Sequence, residues 1–211
     1  MLAGLVSVGC VSPYYGTAQV EKGWHVDLGL AAVSYMNDGE LSGIYYLGTP
    51  PSTPQFYGVR GDAEVRYGFN EYIQCHGRMG LGYGTFGKIH TYEYTPVGDN
   101  FLVDVAAGPQ FALPMPFEKG GQISPALRIE ACYGYGDFFA LPTLLVGVGD
   151  PEFLTLGARF YVHPWVPGDA FVGVHIGRFN ILAGMNLATI VHPDYHRVPL
   201  IGTIGIGYSI K

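Results

Sequence analysis

Residues 57–86 alternate apolar and polar side chains with a period of two. The polar positions of the first run are charged: Arg60, Asp62, Glu64 and Arg66. A turn at Asn70 separates this run from a second one, in which Gln74, His76 and Arg78 occupy the polar positions. Because successive side chains of a β-strand point to opposite faces, the pattern predicts two strands joined by a tight turn. Each predicted strand has one apolar face and one wet face.

The same period continues to the end of the chain, and no helical period interrupts it. Runs bounded by Gly, Pro, Asn and Asp predict ten strands. They are 24–36, 56–69, 72–86, 100–113, 122–135, 138–148, 153–163, 169–177, 178–190 and 199–210. With the connection at 136–137 as the exception, long connections fall at one end and tight turns at the other. The prediction is an all-β, antiparallel, up-and-down transmembrane barrel: a single domain at 23–211 after a leader at 1–22.

The composition is unusual for a protein that faces water. Charged residues make up 13% of the 211-residue chain, whereas an ordinary soluble domain has about 25%. Too little charge is present to coat a water-facing surface of this size. The net charge of −6 and the absence of a Lys/Arg cluster argue against a nucleic-acid binder. No run approaches the ~18 apolar residues of a membrane-spanning helix, but a closed barrel also satisfies its backbone within lipid.

Aromatic residues on the apolar faces fall at two levels. Toward the tight turns lie Trp24, Phe69, Phe111 and Phe179, and toward the opposite ends lie Tyr57, Tyr83, Phe101, Tyr133 and Phe160. Aliphatic side chains such as Leu28, Val59 and Ile206 occupy the positions between them. Aromatic belts that flank an aliphatic band are typical of a barrel exterior in a bilayer.

The chain resembles a small bacterial outer-membrane β-barrel over nearly all its length. Its last strand is similar to the sorting signal of such barrels, through Thr203, Gly205, Tyr208 and Ile210, although Lys211 replaces the usual terminal aromatic residue. The resemblance implies a bacterial outer-membrane location, contact with lipid and both termini in the periplasm. It also implies recognition of the last strand by the barrel-assembly machinery. No narrower family is indicated.

The first ten residues are similar to the end of a bacterial lipoprotein signal, because an apolar stretch closes in small residues before Cys10. Ser7 departs from the usual Leu, and no basic region precedes the stretch. Lipidation of Cys10 and an incidental cysteine both remain open. Cys75 and Cys132 are predicted on opposite faces of strands that are not neighbours, which argues against a disulfide between them.

The wet faces predict the lining of a narrow lumen. The predicted charge network comprises Asp27, Arg60, Asp62, Glu64, Arg66, His76, Arg78, Asp104, Arg128, Glu130 and Arg159. Its five arginines balance its five acids, which favours ion pairs across the lumen over a charge-selective pore. Several inward glycines leave room for water or a small solute. A passive channel is therefore the alternative to a structural or accessory envelope component. The partners expected for such a component are other envelope proteins.

An enzyme at the outer rim is the third hypothesis. His192, Asp194 and His196 present two imidazoles and a carboxylate in one predicted loop, which are donors that a metal accepts. The spacing is loose, however, and no serine lies in a nucleophile motif. The sequence thus predicts no catalytic activity, no metal site and no cofactor.

Overall fold

The chain folds into a closed barrel of ten antiparallel strands, each paired with its neighbours in sequence, and β1 pairs with β10 to complete the circle. The computed structural model describes residues 13–36, 53–90, 93–113, 123–134, 137–160, 162, 168–186 and 202–210. The predictions of an all-β fold, ten strands and nearest-neighbour topology are confirmed.

The strand bounds follow the alternating runs of the sequence. The strands are β1 Gly23–Met36, β2 Thr53–Gly68, β3 Ile73–His90, β4 Glu93–Ala112, β5 Ile123–Gly134, β6 Asp137–Gly149, β7 Glu152–Arg159, β8 Asp169–Ile176, β9 Phe179–Asn186 and β10 Gly202–Ile210.

One predicted loop is wrong. Residues 87–99 were expected to form a long connection, but β3 continues to His90 and β4 already begins at Glu93. The two strands pair in this region, with Lys88 opposite Thr95, after an irregularity in register between Phe86 and Gly87. The Gly, Pro and Asp residues here predicted a loop, but a register irregularity lets a hairpin extend past such residues.

Other differences concern strand ends. β7 stops at Arg159 instead of continuing to 163, and Phe160, whose N–H donates to the carbonyl of Pro142, lies just past it. The last residues predicted for β9 and the first residues predicted for β10 fall outside the described residues. So do Cys10, His163 and the segment from His192 to His196.

Two ends of the barrel are distinguished by their connections. At one end, called here the short-turn end, tight turns occupy residues 69–72, 149–151 and 177–178. Strand β1 begins and strand β10 ends at this same end. Gly149 and Gly177 have φ values of +99° and +63°, a region that favours glycine. At 69–72 the Asn70 side chain accepts the N–H groups of Tyr72 and Ile73 at 2.8 and 2.9 Å. The opposite end is the long-loop end.

Candidate functional site: the barrel lumen

The alternating pattern directs the charged side chains inward. All eleven residues of the predicted charge network are buried inside the barrel, and they lie on β1 to β5 with the exception of Arg159 on β7. The inward orientation follows from the period of two, since every second residue of a closed barrel must face the lumen. Cys132 is buried and Cys75 is exposed, as the pattern predicts.

Nine of these residues form one continuous series of ion pairs, here called the ion-pair chain. Along it acids and arginines alternate, in the order Asp27, Arg66, Glu64, Arg128, Glu130, Arg78, Asp104, Arg60 and Asp62. The N–O separations range from 2.6 Å for Arg78 with Glu130 to 3.7 Å for Arg66 with Glu64, leaving aside the short contact between Arg60 and Asp104. Each charge thus has an opposite charge beside it, which offsets the cost of removing it from water.

Arg128 is the fourth of the nine residues of the ion-pair chain and pairs with both Glu64 and Glu130. Its Nη1 and Nη2 atoms donate to the two carboxylate oxygens of Glu64 at 2.8 and 2.9 Å, the bidentate geometry that suits a guanidinium group. Nη2 also donates to Glu130 at 2.9 Å. The guanidinium carbon lies 4.9 Å from the centroid of the Tyr14 ring. Arg128 therefore joins strands β2 and β5 to a residue that precedes the barrel.

The opposite half of the lumen has a different lining. Most inward positions of β6 and of β8 to β10 carry small or apolar residues, among them Leu145, Gly147, Phe171, Gly173, Leu182, Gly205 and Gly207, and the polar inward residues there include Thr143, His175, Asn180 and Ser209. Among the described residues, Glu152 and Arg159 on β7 supply the buried Asp, Glu, Arg or Lys side chains of strands β6 to β10. Charged side chains therefore line one wall of the lumen, on β1 to β5. Mostly uncharged side chains, many of them small, line the other, on β6 to β10, which is here called the small-residue wall.

The space beside the small-residue wall is occupied by the residues that precede β1. Residues 13–22, here called the N-terminal segment, lead from the barrel interior to the start of β1: Tyr14, Tyr15, Ala18 and Val20 are buried, whereas Lys22 is exposed. The segment contains no strand up to its junction with β1. Burial raises the pKa of Tyr14 above its ordinary value, so this phenol stays neutral. The sequence analysis predicts these residues as part of a leader at 1–22 that precedes the domain, and it does not predict their burial in the lumen.

Two wall side chains hold the backbone of the N-terminal segment. The Glu152 carboxylate accepts the N–H of Ala18 at 3.0 Å and that of Gln19 at 2.7 Å. The Gln110 amide donates to the carbonyls of Thr17 and Ala18 at 3.1 and 3.0 Å. Four consecutive backbone polar groups are thus satisfied by side chains from β4 and β7, and groups of this kind are costly to bury without partners.

Tyr15 fills a niche made of glycines. A Cβ atom on Gly29, Gly205 or Gly207 would collide with the Tyr15 side chain, so the ring lies where wall side chains are missing. Gly29 belongs to β1, and Gly205 and Gly207 belong to β10, which places the ring against the junction of the first and last strands. Tyr14 packs beside Phe171 with ring centroids 5.3 Å apart.

A series of side-chain hydrogen bonds runs from the N-terminal segment to this junction. Glu152 accepts the Thr155 hydroxyl, and the same hydroxyl oxygen lies 2.7 Å from Nε2 of His175. His175 Nδ1 lies 2.7 Å from Oδ1 of Asn180, whose amide donates to Ser209 at 2.8 Å. Ser209 in turn donates to Asp27, the first residue of the ion-pair chain. The two halves of the lumen are therefore linked through β7 to β10.

The outer surface of the barrel is apolar. At the described outward positions of the strands the only charged side chain is Asp99, which accepts hydrogen bonds from Tyr83 and Thr85. Leu30, Val59, Ile204 and Ile206 are each more than 60% exposed. Aromatic pairs lie near both ends: Trp24 with Tyr67 and Phe179 with Tyr208 near the short turns, Tyr83 with Phe101 and Tyr133 with Phe138 nearer the long loops.

The described residues contain no group of three or more His, Cys, Asp or Glu residues placed to hold a metal ion. No helix in that part of the chain is long and apolar enough to cross a membrane. No protein-family profile matches the sequence, and no curated protein matches it. Function must therefore be argued from the lumen and the outer surface themselves.

Proposed function

We propose that this protein is a bacterial outer-membrane barrel with a closed lumen, which serves as a structural or accessory component of the envelope. The observation that carries the membrane location is the distribution of charge between the two sides of the wall. The ion-pair chain faces inward, while aliphatic side chains dominate the outward positions. In water this arrangement would expose an apolar area far larger than soluble proteins tolerate, but in lipid it is favourable.

The aromatic pairs near the two ends support the same proposal. Trp24 is 67% exposed and packs on Tyr67 near the short-turn end, where the ring would lie at the level of the lipid headgroups. With the short turns in the periplasm, as the resemblance implies, Gly23 and Ile210 lie on the periplasmic side.

The closed lumen is supported by two features. The alternating signs of the ion-pair chain leave little net charge to attract ions of one sign, and the N-terminal segment lies beside it. An open pore would instead need a continuous wet path lined by side chains that water can reach. A scaffold or accessory role therefore fits this interior better than solute transport.

Lipid contact is tested by the fluorescence of Trp24 in reconstituted vesicles. Tryptophan occurs twice in the chain, so Trp165→Phe leaves Trp24 as the single emitter. Lipids brominated close to the headgroup should quench this emission more strongly than lipids brominated near the chain ends, because the belt residue lies at shallow depth. Quenching by aqueous iodide with no effect of either brominated lipid would contradict the proposal.

Closure is tested by conductance across planar bilayers. The unaltered protein should show only rare and small openings over the voltage range that the bilayer withstands. Steady ohmic conductance of a protein that is fully inserted would support the passive-channel alternative and sink the closed-lumen proposal.

A further inference from the structure

We propose that the part of the lumen around residues 13–20, formed by the small-residue wall together with Gln110 of β4 and Gly29 of β1, is a peptide-binding site, and that the N-terminal segment is its removable occupant. On this view closure is conditional: withdrawal of residues 13–20 opens a water-filled path through the barrel. The conductance part of this inference rests on the proposed membrane location, whereas the binding part does not.

The first argument is that the segment is held by side chains alone. Residues 13–20 belong to no strand. Among the described residues, the barrel's hydrogen bonds to their backbone come from the Glu152 and Gln110 side chains, and the Tyr14 and Thr17 side chains add hydrogen bonds within the segment. Departure of the segment would leave every strand ladder of the barrel intact. Elements held in this way open at lower free energy than the sheet that surrounds them.

The second argument is that the lining around the segment carries features that the barrel alone does not need. A carboxylate that accepts two successive N–H groups, at Ala18 and Gln19, reads the backbone of an extended or turning peptide. Glycine weakens a strand interior, yet three glycines stand together where the Tyr15 ring lies. Together these features fit a peptide that carries a tyrosine, with the backbone groups of the next two to four residues free to form hydrogen bonds with Glu152 and Gln110.

The third argument concerns what remains after withdrawal. The ion-pair chain draws all its opposite charges from the wall itself, so its pairs do not depend on the segment. The ion-pair chain itself would lose the contact of the Arg128 guanidinium with the Tyr14 ring and the hydrogen bond from Arg66 to the Thr17 hydroxyl. The charged wall would then stand across open space from Gly147, Gly173, Gly205 and Gly207, and water could pass between them.

Thiol labelling tests withdrawal without reference to a membrane. Ala18 and Cys132 are both 1% exposed, but the first belongs to the segment and the second packs within the wall beside Leu141 and Ala106. In the full-length Ala18→Cys variant, a water-soluble maleimide should modify residue 18 at least about tenfold faster than Cys132, as expected for local opening. Equal protection of both thiols up to global unfolding would overturn the proposal.

Conductance of Tyr15→Asp tests the consequence. A carboxylate among the three glycines and beside Asp62 should expel the segment, so the open probability should rise at least about tenfold, as for any shift of 1.4 kcal/mol or more. Tyr72→Asp is the matched control, because Tyr72 is exposed in a short turn and should stay closed. If Tyr15→Asp does not fold, Ala18→Pro serves instead, since it removes the N–H that Glu152 accepts.

A synthetic peptide of residues 13–22, added on the short-turn side of the open variant, should restore closure, whereas a scrambled peptide should not. A Tyr15→Asp barrel that is inserted and heat-modifiable, but conducts no more than the unaltered protein, would overturn the proposal that the N-terminal segment closes the lumen. Failure of the peptide to block, when the variant does conduct, would overturn the binding site. Loss of lipid quenching at Trp24 would instead count against the membrane location.

Discussion

At the scale of single residues, the period of two was sufficient to assign the charged wall of the lumen. It placed Arg128, Glu64 and their partners inward because a strand in a closed barrel offers only two faces. It could not order them into an ion-pair chain, since which acid meets which arginine depends on strand tilt and stagger. It also missed Glu152, whose role is visible only once the N-terminal segment lies beside it.

Arg128 should be the residue on which the ion-pair chain depends most. Arg128→Met leaves two buried carboxylates, Glu64 and Glu130, short of a partner, which should cost about 3–5 kcal/mol in the free energy of unfolding. Urea titration of the detergent-solubilised barrel measures the change. Adding Glu64→Gln should recover part of the loss. Arg178→Met, at an exposed turn position, should change nothing, and a loss equal to that of Arg128→Met would refute the assignment.

The two tyrosines of the N-terminal segment should respond differently to loss of the hydroxyl. In the described part of the chain the buried Tyr15 hydroxyl has no hydrogen-bond partner, whereas that of Tyr14 donates to the carbonyl of Thr17. Tyr15→Phe should therefore leave stability unchanged or raise it, while Tyr14→Phe should cost about 1 kcal/mol. Urea midpoints of the two variants compare them directly, and a Tyr15→Phe barrel less stable than Tyr14→Phe would contradict the niche.

At the scale of elements, runs bounded by Gly, Pro, Asn and Asp located ten strands, because turn residues and alternation coincide along most of the chain. The prediction failed where they conflict. Residues 87–99 contain turn formers, yet the hairpin of β3 and β4 extends through them by way of a register irregularity. Residues 13–22 alternate only from Thr17 to Glu21, and the sequence predicts them as part of a leader outside the domain.

The turn at 69–72 gives an element-scale prediction. Asn70 accepts two backbone N–H groups, from Tyr72 and Ile73, and so fixes the link between β2 and β3. Asn70→Ala should lower stability by about 1 kcal/mol, while Asn70→Asp, which keeps the accepting oxygen, should not. Heat-modifiability on gels at graded temperature would show the difference, and equal melting of both variants would exclude this role.

At the scale of the whole molecule, the composition and the apolar residues at outward positions predicted the fold class more firmly than the function. A low share of charge and an apolar outer face are properties of the entire wall, so they can be counted from the sequence. The content of the lumen is a property of tertiary packing between distant residues, such as Gln110 with Thr17. For this reason the sequence predicted a filled interior but not that residues 13–20 supply part of the filling.

The position of Tyr15 has a consequence for the order of assembly. The ladder between β1 and β10 joins Val26 to Ile210, the partners most distant along the chain, so the entropy of loop closure makes it the slowest ladder to form. The Tyr15 ring touches glycines on both of these edges. A Tyr15 ring already packed on β1 would offer β10 half of its contact surface, so that a residue that precedes the first strand guides the last strand into place.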